Sequence, residues 1–165
     1  MESEACSDSG PIIHLDEIKK LSLLNIFSKV IISTIIREEL LKYNIENLPE
    51  NISINSINKD QIILLSEKYS LDIGESSVIL LCKALKISLM LTDDLDARGA
   101  AKQLDLEPVG TIGIVLRCFR EDILNKVEAI KIVKDIYDNS SLFITSDLIS
   151  YVIKEINGYE KKDKT

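Results

Sequence analysis

Acidic side chains stand at the edges of apolar segments throughout the first hundred residues: Asp8, Glu39, Glu75 and the adjacent pair Asp93/Asp94. Carboxylates placed where strands end and helices begin can be folded into one cluster. Two of them about 5 Å apart repel by about 3 kcal/mol at an effective dielectric of ~20, so several together either protonate or gather a cation. An all-oxygen donor set suits Mg²⁺ or Mn²⁺, which keep several of their waters, whereas zinc prefers His or Cys. A metal held this way supplies an activated water and neutralises charge on a phosphate. Hydrolysis of a phosphodiester is therefore the first chemistry to test.

Each acid also has a plainer explanation. Asp and Glu at helix starts satisfy orphan N–H groups and favour the helix dipole. Asp8, Glu75 and Asp93/Asp94 all sit at such starts, and Asp72-x-x-Glu75 has the form of a capping box. Glu39 does not, because it lies roughly one and a half turns into its helix beside Leu40 and Leu41. The single histidine, His14, lies among apolar residues and reads as a structural or surface residue. A Ser-His-Asp triad has no support, and there is no GxSxG, GxxxxGK[ST] or GxGxxG sequence.

The elements that must position these acids alternate in type. Residues 3–8 form a short strand ending at Asp8, and Ser9-Gly10-Pro11 starts a helix, with Pro well placed in its first turn. The run Ile12, Ile13, Leu15, Ile18, Leu21, Leu23, Leu24 continues that helix by its spacing. Residues 29–33 (KVIIS) are a β-branched strand, and Ser33 or Thr34 caps a helix to about Tyr43. Ile52 and Ile54 alternate as in a short edge strand. Helices over 59–69 and about 75–86 follow, then a central strand over 87–92 (ISLMLT). Asp93 leads a helix to about Leu104, and Glu107-Pro108-Val109 is a short strand. From Thr111 onward the pattern is helical only, over 111–120, 125–138 and about 146–157. Alternating strands and helices argue for an α/β sandwich with a parallel sheet and a helical C-terminal cover. In such a sheet, ligands bind beyond the carboxyl ends of the strands where strand order reverses. If the first strand and ISLMLT are neighbours, Asp8 meets Asp93/Asp94 there.

Composition bounds the class. The 165 residues are 45% hydrophobic, enough for one buried core, with no Trp and only 5% aromatic residues. A net charge of −7 argues against broad attraction to nucleic acid, so any such contact requires a local basic patch or bound cations. Cys6, Cys82 and Cys118 are far apart in apolar contexts, as small core residues of a reducing compartment. The acidic start lacks a signal peptide's basic region, and no apolar run approaches the ~18 residues of a membrane span. The expected location is the cytoplasm, with no membrane partner.

The order Asp8-Ser9-Gly10 with Ile12-Ile13, then Ile36-x-x-Glu39-Leu40, then Leu71-Asp72-x-Gly74-Glu75, then Leu91-Thr92-Asp93-Asp94-x-x-Ala97-Arg98, resembles the PIN-domain family. The match is closest to a prokaryotic subfamily akin to the toxins of VapBC toxin–antitoxin pairs. Gly110-Thr111-x-Gly113-x-x-Leu116 looks like that subfamily's segment after the core sheet, and the resemblance spans about residues 5–157. It implies a three-layer α/β/α fold with a central parallel sheet. One domain is expected over 1–158, with a core over about 3–125, a helical extension over about 126–157 and a loose polar tail over 159–165.

The resemblance also implies a Mg²⁺- or Mn²⁺-dependent ribonuclease acting on single-stranded or structured RNA, commonly a homodimer, with a cognate antitoxin as a candidate partner. Carried over by motif, Asp8 is the first metal ligand, Glu39 and Glu75 the second and third acids, and Asp94 or Asp93 the fourth. Ser9 and Thr92 would support the ligands. Arg98 would either pair with Asp94 at the i,i+4 spacing or touch the RNA backbone, and Arg37 is a weaker candidate for that contact. The alternative is a noncatalytic PIN-like module whose acids only cap helices and which acts by dimerisation or by docking a protein partner. Action on DNA flaps is a third reading.

Overall fold

The computed structural model describes residues 3–160. Met1, Glu2 and most of the expected polar tail, from Lys161 onward, lie outside the described residues. Five strands form one wholly parallel sheet: β1 (Glu4–Ser7), β2 (Lys29–Ser33), β3 (Ile52–Asn55), β4 (Leu89–Leu91) and β5 (Glu107–Val109). Their spatial order is β3-β2-β1-β4-β5. The inner strands are nearly continuous apolar runs, as burial on both faces requires; Val30, Ile31, Ile32, Leu89, Met90 and Leu91 are all buried.

The helices are α1 (Ser9–Glu17), α2 (Thr34–Lys42), α3 (Lys59–Tyr69), α4 (Ile73–Leu85), α5 (Leu95–Gln103), α6 (Thr111–Arg120), α7 (Lys126–Asn139) and α8 (Ser146–Gly158), with a 3₁₀ helix over Leu21–Ile26. The apolar α4 packs across β2, β1 and β4. α6 lies against the 3₁₀ helix, α7 against α6 and α1, and α8 against α7. The chain is thus an α/β protein with a central parallel sheet flanked by helices, as expected. No helix among the described residues is long and apolar enough to cross a membrane.

One expectation fails locally. The apolar run from Ile12 to Leu24 is not one helix. α1 stops at Glu17, and Lys19 takes a left-handed backbone with φ 58°. The Lys20 amide then bonds back to the Leu15 carbonyl at 2.8 Å. Leu23 and Leu24 reach the core from the 3₁₀ turn instead, where the Leu23 carbonyl accepts from Cys118 Sγ at 3.6 Å.

The topology sets the place of the site. The chain moves outward from β1 through β2 to β3, then returns to the other side of β1 for β4 and β5. Strand order therefore reverses between β1 and β4, which pair directly from Ala5↔Leu89 to Ser7↔Leu91. The Asp8 amide extends this ladder to the Leu91 carbonyl at 2.8 Å. The carboxyl ends of these neighbours deliver Asp8 on one side and Thr92, Asp93 and Asp94 on the other.

Candidate active site

Asp8 is the N-cap of α1, and its position is overdetermined. Oδ1 accepts from the Ser9 amide at 2.8 Å and Oδ2 from Thr92 Oγ1 at 3.1 Å. The residue is only 8% exposed. Burial pushes its carboxyl up to about 6, with the charges of Glu39 and Asp72 adding and the two hydrogen bonds opposing. Thr92 joins the two strand ends, because its Oγ1 also accepts from the Asp94 amide at 3.3 Å.

Glu39 reaches the same region from α2. Ser33, at the end of β2, caps α2 by accepting from the Ile36 amide at 3.1 Å and meets Ser77 Oγ at 2.7 Å. Ser77 in turn donates to the Gly74 carbonyl at 2.6 Å. These buried hydroxyls lock α2 to the first turn of α4, where Gly74 leaves room for the Glu39 carboxylate. Burial raises the Glu39 pKa, as does Asp72, while a hydrogen bond from Ser9 and the charge of Lys42 lower it.

Asp72 and Glu75 form the anticipated capping box at the start of α4. The Glu75 amide donates to Asp72 Oδ1 at 2.7 Å, and the Asp72 amide donates to Glu75 Oε2 at 3.2 Å. Capping does not exhaust their role. The Glu75 carboxyl is pushed up to about 8, by burial first and then by Asp72, Asp94 and Asp8. Asp72, read from sequence only as a cap, thus belongs to the acid cluster: its charge acts on Asp8, Glu39 and Glu75 alike.

The adjacent aspartates are in different states. Asp93 is tied into the protein: Oδ1 accepts from the Thr111 amide at 2.7 Å, and Oδ2 accepts from Thr111 Oγ1 at 2.6 Å and meets His14 Nδ1 at 2.7 Å. Asp94 is exposed and caps α5 through Oδ1 alone, accepting from the Ala97 amide at 2.8 Å. His14, expected to be a structural or surface residue, has a structural contact: it lines the site and holds Asp93. A lone histidine in an apolar run carries no sign of a partner 79 positions away.

The two arginines part company. Arg37 donates to the Ile45 and Glu46 carbonyls at 3.2 and 2.7 Å and so pins the loop after α2; it does not line the acid cavity. Arg98 makes no ion pair with Asp94. It lies on the far side of Asp93, where its guanidinium and Asp93 Oδ1 both crowd the space a Cβ on Gly110 would take.

Together Asp8, Glu39, Asp72, Glu75, Asp93 and Asp94 line one open cavity of about 520 Å³, rimmed by Ser141, Leu142 and Phe143 from the loop before α8. Among the described residues, the His14–Asp93 contact is the only ion-pair geometry there. The remaining acids of the cavity have no ion pair among the described residues, and burial is the largest cause of the raised values at Asp8, Glu39 and Glu75. As the side chains stand, no group of three or more His, Cys, Asp or Glu among the described residues is arranged to hold a metal ion. The donor chemistry, all carboxylate oxygen with a net negative charge, nevertheless fits a hard divalent cation whose binding would relieve the repulsion.

Comparison with curated proteins finds no match, and comparison with solved structures finds none either. One family model, described as PIN domain, matches residues 4–158. That span runs from the first residue of β1 to the last of α8 and takes in every acid of the cavity; the chain belongs to the PIN-domain family.

Proposed function

We propose that this chain is a metal-dependent nuclease that hydrolyses phosphodiester bonds of RNA, with Asp8, Glu39, Glu75 and Asp94 holding a Mg²⁺ or Mn²⁺ ion. Membership of the PIN-domain family supports nuclease activity in general. The observation that carries the finer reading is the convergence of the Asp8, Glu39, Asp72, Glu75, Asp93 and Asp94 carboxylates on one cavity where strand order reverses, with Asp8 buried among them.

A bound divalent ion would supply charge neutralisation on the phosphate and an acidified water. The protein's own part is positioning. The Ser9 amide and Thr92 hydroxyl hold the Asp8 carboxylate in one orientation, so none of its rotamer freedom is left to be lost on binding. The Ser33–Ser77–Gly74 chain sets the distance between α2 and α4, and with it the approach of Glu39. Asp94 uses only Oδ1 for its helix and leaves Oδ2 for a ligand, whereas both oxygens of Asp93 serve His14 and Thr111. This favours Asp94 as the fourth ligand and Asp93 as its support. The order of motifs further supports a VapC-like toxin, acting as a cytoplasmic homodimer and restrained by a cognate antitoxin.

The test is cleavage of a labelled single-stranded RNA with Mn²⁺, beside EDTA and Asp8→Asn controls. Cutting that disappears in both controls is expected. Cutting that persists in folded Asp8→Asn would sink the assignment. A second reading, a noncatalytic interaction module, has one observation in its favour: Asp8, Asp72, Glu75 and Asp94 all bond to helix-start backbone. It gains if the folded wild-type protein cuts no RNA and shows no Mn²⁺-dependent rise in melting temperature.

A further inference from the structure

Beyond the acid cavity, the least satisfied part of the surface is the loop between α7 and α8. Leu142 and Ile144 pack against the core, yet Phe143 between them is 91% exposed. The loop is fastened rather than loose. Ser141 donates to Glu17 Oε1 through its amide at 3.0 Å and its hydroxyl at 2.8 Å, and Ser140 Oγ bonds the Ile136 carbonyl at 2.6 Å. Phe143 is therefore held out by its own backbone. Isolated exposed apolar residues need no explanation, but this one continues into a patch with Leu95 (82% exposed) and Tyr151 (60% exposed).

The patch lines a second groove of about 620 Å³ that shares Asp93, Leu95, Leu142 and Phe143 with the acid cavity, so the two are continuous. Its lining differs from its neighbour's: aliphatic side chains such as Ile112, Leu116 and Leu148 stand beside arginines, with Asp93 and Glu107 as the acids that line it. Arg98, Arg117 and Arg120 line it, in a chain whose net charge is −7. Arg117 pairs with Glu107 at 3.2 Å, and no ion pair engages Arg98 or Arg120 among the described residues. Two exposed aromatic side chains and two arginines without an ion pair, in a groove that opens into the acid cavity, fit a polyanion with exposed bases.

We propose that Phe143 and Tyr151 form a stacking platform for unpaired bases of a single-stranded nucleic acid, whose backbone passes Arg98 and Arg120 on its way to the acid cavity. This rests on the nuclease reading above and names the residues that select its substrate. Every base has a π-face, so the platform takes single strands with little regard to sequence and rejects a duplex, whose bases are stacked on each other.

The experiment is fluorescence anisotropy of the full chain with a short labelled oligouridylate in EDTA, so that binding is read without metal-dependent cutting. Phe143→Ala is expected to weaken the dissociation constant on the order of ten- to a hundred-fold, the effect of losing one stacked base. Phe143→Trp should hold it within a few-fold, and a duplex of the same length should bind more weakly. Arg120→Ala should lower the slope of log affinity against log salt by roughly 0.7, one phosphate contact on a single strand. Because Phe143 is almost wholly exposed, its truncation leaves the core intact. Unchanged affinity in Phe143→Ala overturns the proposal, including the case where that variant instead converts a dimer to monomer and so assigns the groove to a second copy. Phe143-dependent binding by a protein that cuts no RNA in Mn²⁺ supports the platform and overturns the nuclease reading. Cutting alongside Phe143-independent binding does the reverse.

Discussion

A Cβ on Gly74 would fall on the Oε1 atom of Glu39, so the first turn of α4 is bare where the acid of α2 lies across it. The glycine is there for space, not for backbone freedom, since among the described residues no glycine has positive φ. Ala is the better helix former by about 1 kcal/mol in a helix interior, so Gly74→Ala should change the melting temperature by only a few degrees. It should displace the Glu39 carboxylate, and a shift of ~1 Å at a catalytic group lowers rates on the order of a hundred-fold. Cleavage assays beside thermal melts check this. Full activity in the folded variant would show that Glu39 is not a ligand.

Much of this arrangement is legible in the sequence, and the exceptions have physical causes. KVIIS and the LML core of ISLMLT announce themselves because strands buried on both faces must be apolar throughout. Asp8, Glu75 and Asp94 are visible because they stand at element boundaries, where capping and ligation call for the same residue types. The break at Lys19 is hidden: a left-handed lysine has no compositional mark, and the apolar spacing runs straight through it. Asp72 was visible as a cap, but its field on three other acids exists only once α1, α2 and α4 converge. His14 and Phe143 were beyond reach for a related reason. Their roles depend on contacts, or on a lack of them, across long stretches of chain.

The metal-free protein should lose stability as the pH rises. Asp8 moves up from 3.8 to about 6 on folding, and Glu75 from 4.5 to about 8. Between each pair of values the folded state binds more protons than the unfolded one, so the slope of unfolding free energy against pH is negative. Stability in EDTA is therefore expected to be greatest below about pH 4 as far as these two groups are concerned. It should fall through the window up to about pH 8. Mn²⁺ added at pH 8 should reverse the loss, by about 2.7 kcal/mol at a hundred times its dissociation constant. Urea titrations across this range, with and without metal, read both effects. Stability that rises from pH 4 to pH 8 in EDTA would contradict the burial assigned to these carboxyls.

Asp8→Asn separates function from stability at one atom. Asn still caps a helix, so the α1 start is retained. The variant removes a buried charge whose pKa shift, from 3.8 to about 6, corresponds to up to about 3 kcal/mol above pH 6. In EDTA at pH 8 it should melt several degrees above wild type, at roughly 2–4 °C per kcal/mol for a chain of this size. At pH 4 the two should be nearly equal. With Mn²⁺ the order should invert, because only wild type gains from the ion. A variant that melts below wild type at pH 8 in EDTA would mean that Asp8 is held chiefly by its two hydrogen bonds.

The neighbours Asp93 and Asp94 should fail in different ways. Asp93 accepts from Thr111 through both its amide and its hydroxyl and meets His14, at the junction of β4, α1 and α6. Thr111 is fully buried, and Thr111→Val leaves a charged acceptor short of one donor. Hydrogen bonds to charged groups contribute about 1.5–3 kcal/mol, so Thr111→Val and Asp93→Asn should each destabilise by about that much in urea denaturation. The Asp94 side chain bonds only the Ala97 amide, a cap that Asn preserves, so Asp94→Asn should remain within about 0.5 kcal/mol of wild type. What it should lose is the Mn²⁺-dependent rise in melting temperature and the cleavage of RNA. If Asp94→Asn keeps both while Asp93→Asn, still folded, loses them, the ligand and its support exchange places. His14 and Thr111 would then be the groups that orient the metal's own carboxylate.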